Sequence, residues 1–190
     1  MTSAGVVVRV PPELLAERVA ELAADITTAY AGTSPVLVTV LKGGAIFLAD
    51  LARSIALPVE IDFLSITPYG DGSSARIVKD LDHDIRGRHV LLVEDIVDTG
   101  LTLAYLLRVL AERAPASLRV CTLLDRRVRR IAELPLDWVG FEVGDEYLVG
   151  YGLDLDGRLR GVPAILAVGD VEAARRDPEG VVAAALRAEG

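Results

Sequence analysis

The stretch His89-Val90-Leu91-Leu92-Val93-Glu94-Asp95-Ile96-Val97-Asp98-Thr99-Gly100-Leu101-Thr102 decides the fold class. It begins as an apolar, β-branched run, the mark of a strand buried on both faces of a parallel sheet. It stops abruptly in two adjacent carboxylates, Glu94 and Asp95. Asp98, Thr99, Gly100 and Thr102 follow, and a periodic apolar helix starts at Leu101. In an open α/β sheet, ligands sit beyond the carboxyl ends of the strands. The free N–H groups of a helix N-terminus favour an anion there. The stretch therefore predicts acids and an anion cradle within one turn.

The same pattern repeats on either side. Pro11-Pro12-Glu13 opens a helix, with Pro and acid early, and Leu14, Leu15, Val19, Leu22, Ala23, Ile26 and Tyr30 mark its apolar face. Residues 1–10 ahead of it read as a short, loosely held arm. Residues 36–41 read as a central strand ending in Lys42-Gly43-Gly44, with a helix over 45–55. The Gly pair lets the backbone turn tightly and approach a ligand. Residues 59–66 form the next strand, and the polar, Gly/Ser-rich 67–76 reads as a loop able to act as a lid. Residues 77–79 return as a strand before the charged connection 80–88. His83 and His89 lack metal-ligand spacing and read as surface or strand-edge residues. A helix over 101–113 and a strand over 118–124 lead into Asp125-Arg126-Arg127-Val128-Arg129-Arg130, a solvated basic face with one candidate ligand residue. A short strand within 135–143, a Gly-interrupted apolar stretch over 147–154 and a last strand over 163–168 follow. Residues 169–190 read as a peripheral tail, helical over 171–190 and interrupted at Pro178-Glu179-Gly180. With no repeat and no linker, the expectation is one α/β domain over 1–190 with a mainly parallel sheet flanked by helices.

Composition bounds the function. The chain has 190 residues, enough for a sizeable core, and 52% are hydrophobic. With 5% aromatics, that core is built from Val, Leu, Ile and Ala. No apolar run approaches the roughly 20 residues of a membrane helix, and the first residues lack the pattern of a signal peptide. A single cysteine, Cys121, reads as a buried core thiol in a reducing cytoplasm. A net charge of −8 argues against broad nucleic-acid binding. Lysine is confined to Lys42 and Lys79, so arginine carries most of the positive charge.

Two common phosphate signatures are missing: Gly-x4-Gly-Lys-Ser/Thr and Gly-x-Gly-x-x-Gly. In their place stand two acids, two apolar residues, Asp-Thr-Gly and Leu-Thr. Glu94 and Asp95 at a strand end suit sugar hydroxyls or a hydrated Mg²⁺. The N–H groups and hydroxyls of residues 98–102 suit a monophosphate. Together they describe a ribose 5-phosphate lying across one loop. The other use of Asp98 is an Asx turn or a cap for the following helix.

Leu41-Lys42-Gly43-Gly44, the Tyr69-Gly70 loop, Val93-Glu94-Asp95-Ile96-Val97-Asp98-Thr99-Gly100, Val139-Gly140-Phe141-Glu142, Val149-Gly150-Tyr151-Gly152-Leu153-Asp154 and Arg160 run in one order across about residues 10–168. In that order the chain resembles the bacterial hypoxanthine-guanine phosphoribosyltransferases. The resemblance implies the type I phosphoribosyltransferase fold, with a small hood and a flexible lid at Pro68 and Tyr69. It implies Mg²⁺-dependent transfer of 5-phosphoribose from phosphoribosyl pyrophosphate to N9 of hypoxanthine or guanine, giving IMP or GMP and pyrophosphate. By matched position, Glu94 and Asp95 contact the ribose hydroxyls and their Mg²⁺, and Asp98 is the general base or acid near purine N7. Thr99, Gly100, Leu101 and Thr102 bind the 5-phosphate. Lys42 and Gly43 contact pyrophosphate, with a strained, cis-prone peptide before Lys42, and Arg160 is a second pyrophosphate ligand. Tyr147 stacks on the purine, the Leu148 backbone reads its 2-position edge, and Asp154 holds a second Mg²⁺ through water.

Two departures from the family pattern stand out. The family's Asp-Lys-Pro segment supplies a Lys that donates to the purine O6; here Arg126 stands there, followed by Arg127, and Arg is larger and forked. This leaves open the preference among hypoxanthine, guanine and xanthine. The lid has Pro68 where Ser usually precedes Tyr, and it is short, which bears on its closure. The family habit implies a homo-oligomer, a dimer or tetramer, in the cytoplasm, with no membrane and no nucleic-acid partner. The alternative class is an RNA-binding regulator on the same fold, as in pyrimidine-operon attenuators. A phosphoribosyltransferase for xanthine or another base is a third reading.

Overall fold

The computed structural model describes residues 4–67 and 76–187. The lid residues Pro68 and Tyr69 lie outside the described residues. In chain order the elements are β1 (Val6–Val10), α1 (Pro12–Ala29), β2 (Val36–Val40), α2 (Ala45–Ser54), β3 (Glu60–Thr67), β4 (Arg76–Lys79), β5 (His89–Val97), α3 (Leu101–Ala111), β6 (Ser117–Asp125), β7 (Trp138–Glu142), β8 (Tyr147–Val149), β9 (Ile165–Val168), α4 (Val171–Arg176) and α5 (Pro178–Arg187). They fall into two compact units, residues 19–144 and residues 1–18 with 145–190.

In the larger unit the six strands run in the order β4-β3-β2-β5-β6-β7. All neighbours are parallel except the β3–β4 hairpin. The continuous apolar runs find their reason here: Val36, Val38, Val90, Leu92 and Val120 are at most 1% exposed and pack with Leu103, Leu106 and Leu110 of α3. Cys121 is buried in β6, as its apolar neighbours predict. Tyr30 is a packing residue. Its ring meets Trp138 and His89 at 6.2 and 6.1 Å, and burial pushes its hydroxyl up to about 12. In β3 the buried Asp62 carboxylate accepts N–H bonds from Phe63, Asp82 and His83 at 2.7–3.0 Å. Burial pushes its pKa up, but these donors outweigh burial and hold it below the usual carboxylate range.

The smaller unit holds an antiparallel sheet in the order β1-β9-β8. Residues 6–10 are therefore not a loose arm. They pair with β9 from Val6↔Val168 to Val10↔Ile165, and their burial alternates, as an edge strand requires. The C-terminal segment is likewise not peripheral. Ala173, Ala174, Val181 and Ala185 are buried in one cluster with Val149, Leu166 and Val168. Its break falls at Asp177; Pro178 opens α5, where its missing N–H costs nothing, and Gly180 lies inside that helix.

Candidate active site

The strand order reverses beside β2 and β5: the chain goes to β3 on one side and to β6 and β7 on the other. Such a switch point opens a crevice at the carboxyl ends of the strands. Because β2, β5 and β6 are adjacent and parallel, their ends bring Lys42-Gly43-Gly44, the acidic turn and Arg126 to one edge. A cleft of about 240 Å³ lies there, lined by Leu41, Gly43, Glu94, Asp95, Asp98, Thr99, Gly100 and Thr102 among others. The peptide between Leu41 and Lys42 is cis. The Lys42 ammonium is exposed, with no partner among the described residues. Gly43 meets the acids so closely that a Cβ there would collide with Asp95 Oδ2.

The electrostatics of the cleft come from where β5 ends. Glu94 is 8% exposed, and its Oε1 has no hydrogen-bond partner. Burial first, and the Asp95 charge second, push its pKa well above the usual carboxylate range. Asp95 Oδ1 accepts the N–H of Ile96 at 2.9 Å. At the start of α3 the capping residue is Gly100, at φ +83°, which has no side chain to cap the helix. Asp98 is not spent on capping: its Oδ1 is buried without a hydrogen-bond partner. Thr99 Oγ1 accepts the N–H of Leu101 at 3.4 Å. An acid pair with an orphaned oxygen, next to a helix N-terminus, suits a polyhydroxylated phosphate.

Known proteins place this arrangement. A model of the phosphoribosyl transferase domain matches residues 12–156. A hypoxanthine phosphoribosyltransferase of Haemophilus influenzae is 51% identical over 150 residues, which cover 75% of this chain and 84% of the relative. The chain belongs to the hypoxanthine phosphoribosyltransferase family. A hypoxanthine-guanine phosphoribosyltransferase of Mycobacterium avium is 48% identical over 158 residues, 78% of each chain. A crystal structure of a hypoxanthine-guanine phosphoribosyltransferase from Bacillus anthracis, with HEPES in its active site, aligns at a TM-score of 0.83 and 40% identity over 85% of this chain and 98% of that one. The fold is the type I phosphoribosyltransferase fold, and the enzyme is a pentosyltransferase.

In this family member the arginine run after β6 is not a uniform solvated face. A 3₁₀ turn over Arg127–Arg129 separates its members. The side chains of Arg127 and Arg129 are 68% and 50% exposed, those of Arg126 and Arg130 only 9% and 8%. Arg126 Nε donates to the Gly144 carbonyl at 3.0 Å, and its Nη1 lies 3.4 Å from Asp98 Oδ2. Arg129 Nη1 approaches the same oxygen at 3.2 Å. Sequence reasoning did not single out Arg129, Arg130 or Thr39; the last is buried beneath Gly44 with an unpartnered hydroxyl. No signal in the run separates four arginines, because their exposure is set by the turn.

The remaining expected residues share the smaller unit. Arg160 pairs with Asp154 at 2.6 Å and donates to the Gly152 carbonyl at 2.6 Å. Asp154 also accepts the N–H of Gly157, and its carbonyl accepts the Tyr147 hydroxyl at 3.2 Å. Burial, then Asp154 and Asp156, push the Tyr147 hydroxyl up. Leu148 is buried and pairs with Ala167. As to metal, hard oxygen donors side by side, one of them orphaned, fit a hydrated divalent cation. Among the described residues no group of three or more His, Cys, Asp or Glu converges on a metal position. Glu94 and Asp95 would therefore share such an ion with substrate and water, the usual coordination of Mg²⁺.

Proposed function

We propose that the protein transfers the 5-phosphoribosyl group of phosphoribosyl pyrophosphate to N9 of hypoxanthine or guanine, in the cytoplasm and as a dimer or tetramer. Glu94 and Asp98 carry this reading, because both line one cleft at the N-terminus of α3 and each holds a buried oxygen without a hydrogen-bond partner. Glu94 and Asp95 accept the ribose hydroxyls and would hold Mg²⁺. Residues 99–102 bind the 5-phosphate through N–H groups and hydroxyls. N9 attacks C1′ as the bond from C1′ to the pyrophosphate oxygen breaks, and Asp98 Oδ1 takes or shares the purine proton. Charge grows on the leaving pyrophosphate, which Lys42, the Gly43 backbone and Arg160 neutralise. Bound Mg²⁺ supplies further charge neutralisation there and on the ribose hydroxyls. Asp154 would hold a second Mg²⁺ through water. Tyr147 stacks on the base, and the Leu148 backbone reads its 2-position edge.

The test is a turnover assay of hypoxanthine, guanine, xanthine, adenine and uracil with phosphoribosyl pyrophosphate and Mg²⁺. Turnover of hypoxanthine or guanine, and none of adenine or uracil, is expected. Turnover of another base alone, or salt-dependent RNA binding without turnover, overturns the reading.

Arg126 is assigned the purine O6. Its Nη1 lies 3.4 Å from Asp98 Oδ2, which supports this reading, because the two purine atoms that the pair would serve are also neighbours. A charge-assisted hydrogen bond contributes about 1.5–3 kcal/mol. Arg126→Gln is therefore expected to lower kcat/KM for hypoxanthine by about ten- to a hundredfold. If kcat and KM for both 6-oxopurines stay put, another group reads O6.

A further inference from the structure

The buried pair Asp125–Arg130 has no place in the chemistry just described, yet it lies directly against the phosphate grip. Asp125 ends β6 in register with Val97 of β5. Both side chains of the pair are 8% exposed and in ionic contact. The Arg130 guanidinium also bonds to backbone: Nε donates to the Asp98 carbonyl at 3.1 Å and Nη2 to the Val97 carbonyl at 3.2 Å. The next two residues continue the hold, since the N–H groups of Ile131 and Ala132 both donate to the Thr99 carbonyl, at 2.9 and 3.1 Å. The fit is close. A Cβ on Gly100 would meet the Ala132 carbonyl at 2.8 Å and Arg130 Cδ at 3.1 Å.

We propose that Arg130 is a positioning residue: with Asp125 it clamps the carbonyls of residues 97 and 98, so that the turn presents Asp98 and the amides of the phosphate grip in one fixed geometry. Burying two charges costs desolvation that an apolar pair would not, so stability alone gives no reason for this pair. The fork does give one. A planar guanidinium can bond two carbonyls and a carboxylate at once, which a lysine ammonium on a flexible stem does not reproduce. Misplacement of binding groups by about 1 Å is enough to cost a hundredfold in rate.

The inference rests on reading residues 98–102 as the grip on the 5-phosphate, and the test separates the two. Initial rates are measured on the full chain with hypoxanthine and phosphoribosyl pyrophosphate, beside thermal melts. Arg130→Lys keeps the charge and is expected to raise the phosphoribosyl pyrophosphate KM about tenfold, with the hypoxanthine KM held within about twofold and Tm within a few degrees. A support of stability alone would lower Tm and leave both KM values where they were, and that result overturns the proposal. If Arg130→Lys does not accumulate folded, Asp125→Asn carries the test, because it leaves both carbonyl contacts in place and removes their ionic anchor. A rise in the phosphoribosyl pyrophosphate KM supports the clamp, and a loss of Tm with unchanged KM overturns it. Thr102→Glu, placed in the grip itself, is the control on the underlying reading. If it leaves the phosphoribosyl pyrophosphate KM unchanged, the grip falls and the clamp with it. If it raises that KM while Arg130→Lys does not, the clamp alone falls.

Discussion

Asp98→Asn lowers the turnover of hypoxanthine by at least about a hundredfold, the lower end of what a positioned general base contributes. The carboxylate has two unequal oxygens. Oδ2 is shared by Arg126 and Arg129 at 3.4 and 3.2 Å, while Oδ1 is buried without a hydrogen-bond partner, on a residue that lines the cleft. The guanidiniums orient the group, so the oxygen without a partner is the one left to accept the purine proton. Asparagine preserves the shape but takes up no proton, and its amide must set either a donor or a neutral carbonyl against two cations. The fold survives, because the Asp98 side chain is 35% exposed and ion pairs at such sites contribute only about 0–1 kcal/mol. The melting temperature therefore stays within a few degrees, and the loss appears in kcat. Undiminished kcat in this variant removes Asp98 from the chemistry.

Thr102→Glu raises the KM for phosphoribosyl pyrophosphate by about a hundredfold or more. Thr102 is exposed in the first turn of α3 and lines the cleft. A carboxylate in a first helical turn is favoured by the helix dipole by about 0.3–1 kcal/mol, so the variant folds at least as well as the parent. The same charge stands where a phosphate dianion is expected. Two like unit charges about 4 Å apart repel by about 4 kcal/mol at the effective dielectric of a protein surface. Steady-state rates over a phosphoribosyl pyrophosphate series, with a melt on the same preparation, read both effects. A raised or unchanged melting temperature with an unchanged KM would remove the N-terminus of α3 from phosphate binding.

Both variants act on residues that could be picked from the chain. The acidic strand end was legible because an apolar, β-branched run that stops at Glu94-Asp95 has one common meaning in an α/β protein. Lys42-Gly43-Gly44 was legible for the same reason, after a second run of that kind. β1 was not legible. Val6–Val10 is short and sits at a sheet edge, and its order comes from β9, at the other end of the sequence. The C-terminal helices were misread as a tail because alanine is too small to mark a buried face strongly, although Ala173, Ala174 and Ala185 are at most 4% exposed.

The arginine run divides the two sources of information most clearly. Residue types and local periodicity alone determined that acids, an anion cradle and cationic groups stand at strand ends, since each follows from neighbours within a turn or two. Tertiary structure decided which arginine does what. The β5–β6 register puts Asp125 beside Val97, and the 3₁₀ turn then sends Arg126 to Asp98, Arg130 to the backbone beneath it and Arg127 to solvent. Side-chain burial and ion pairing depend on contacts between segments far apart in sequence, and four arginines within five positions carry no local mark of them.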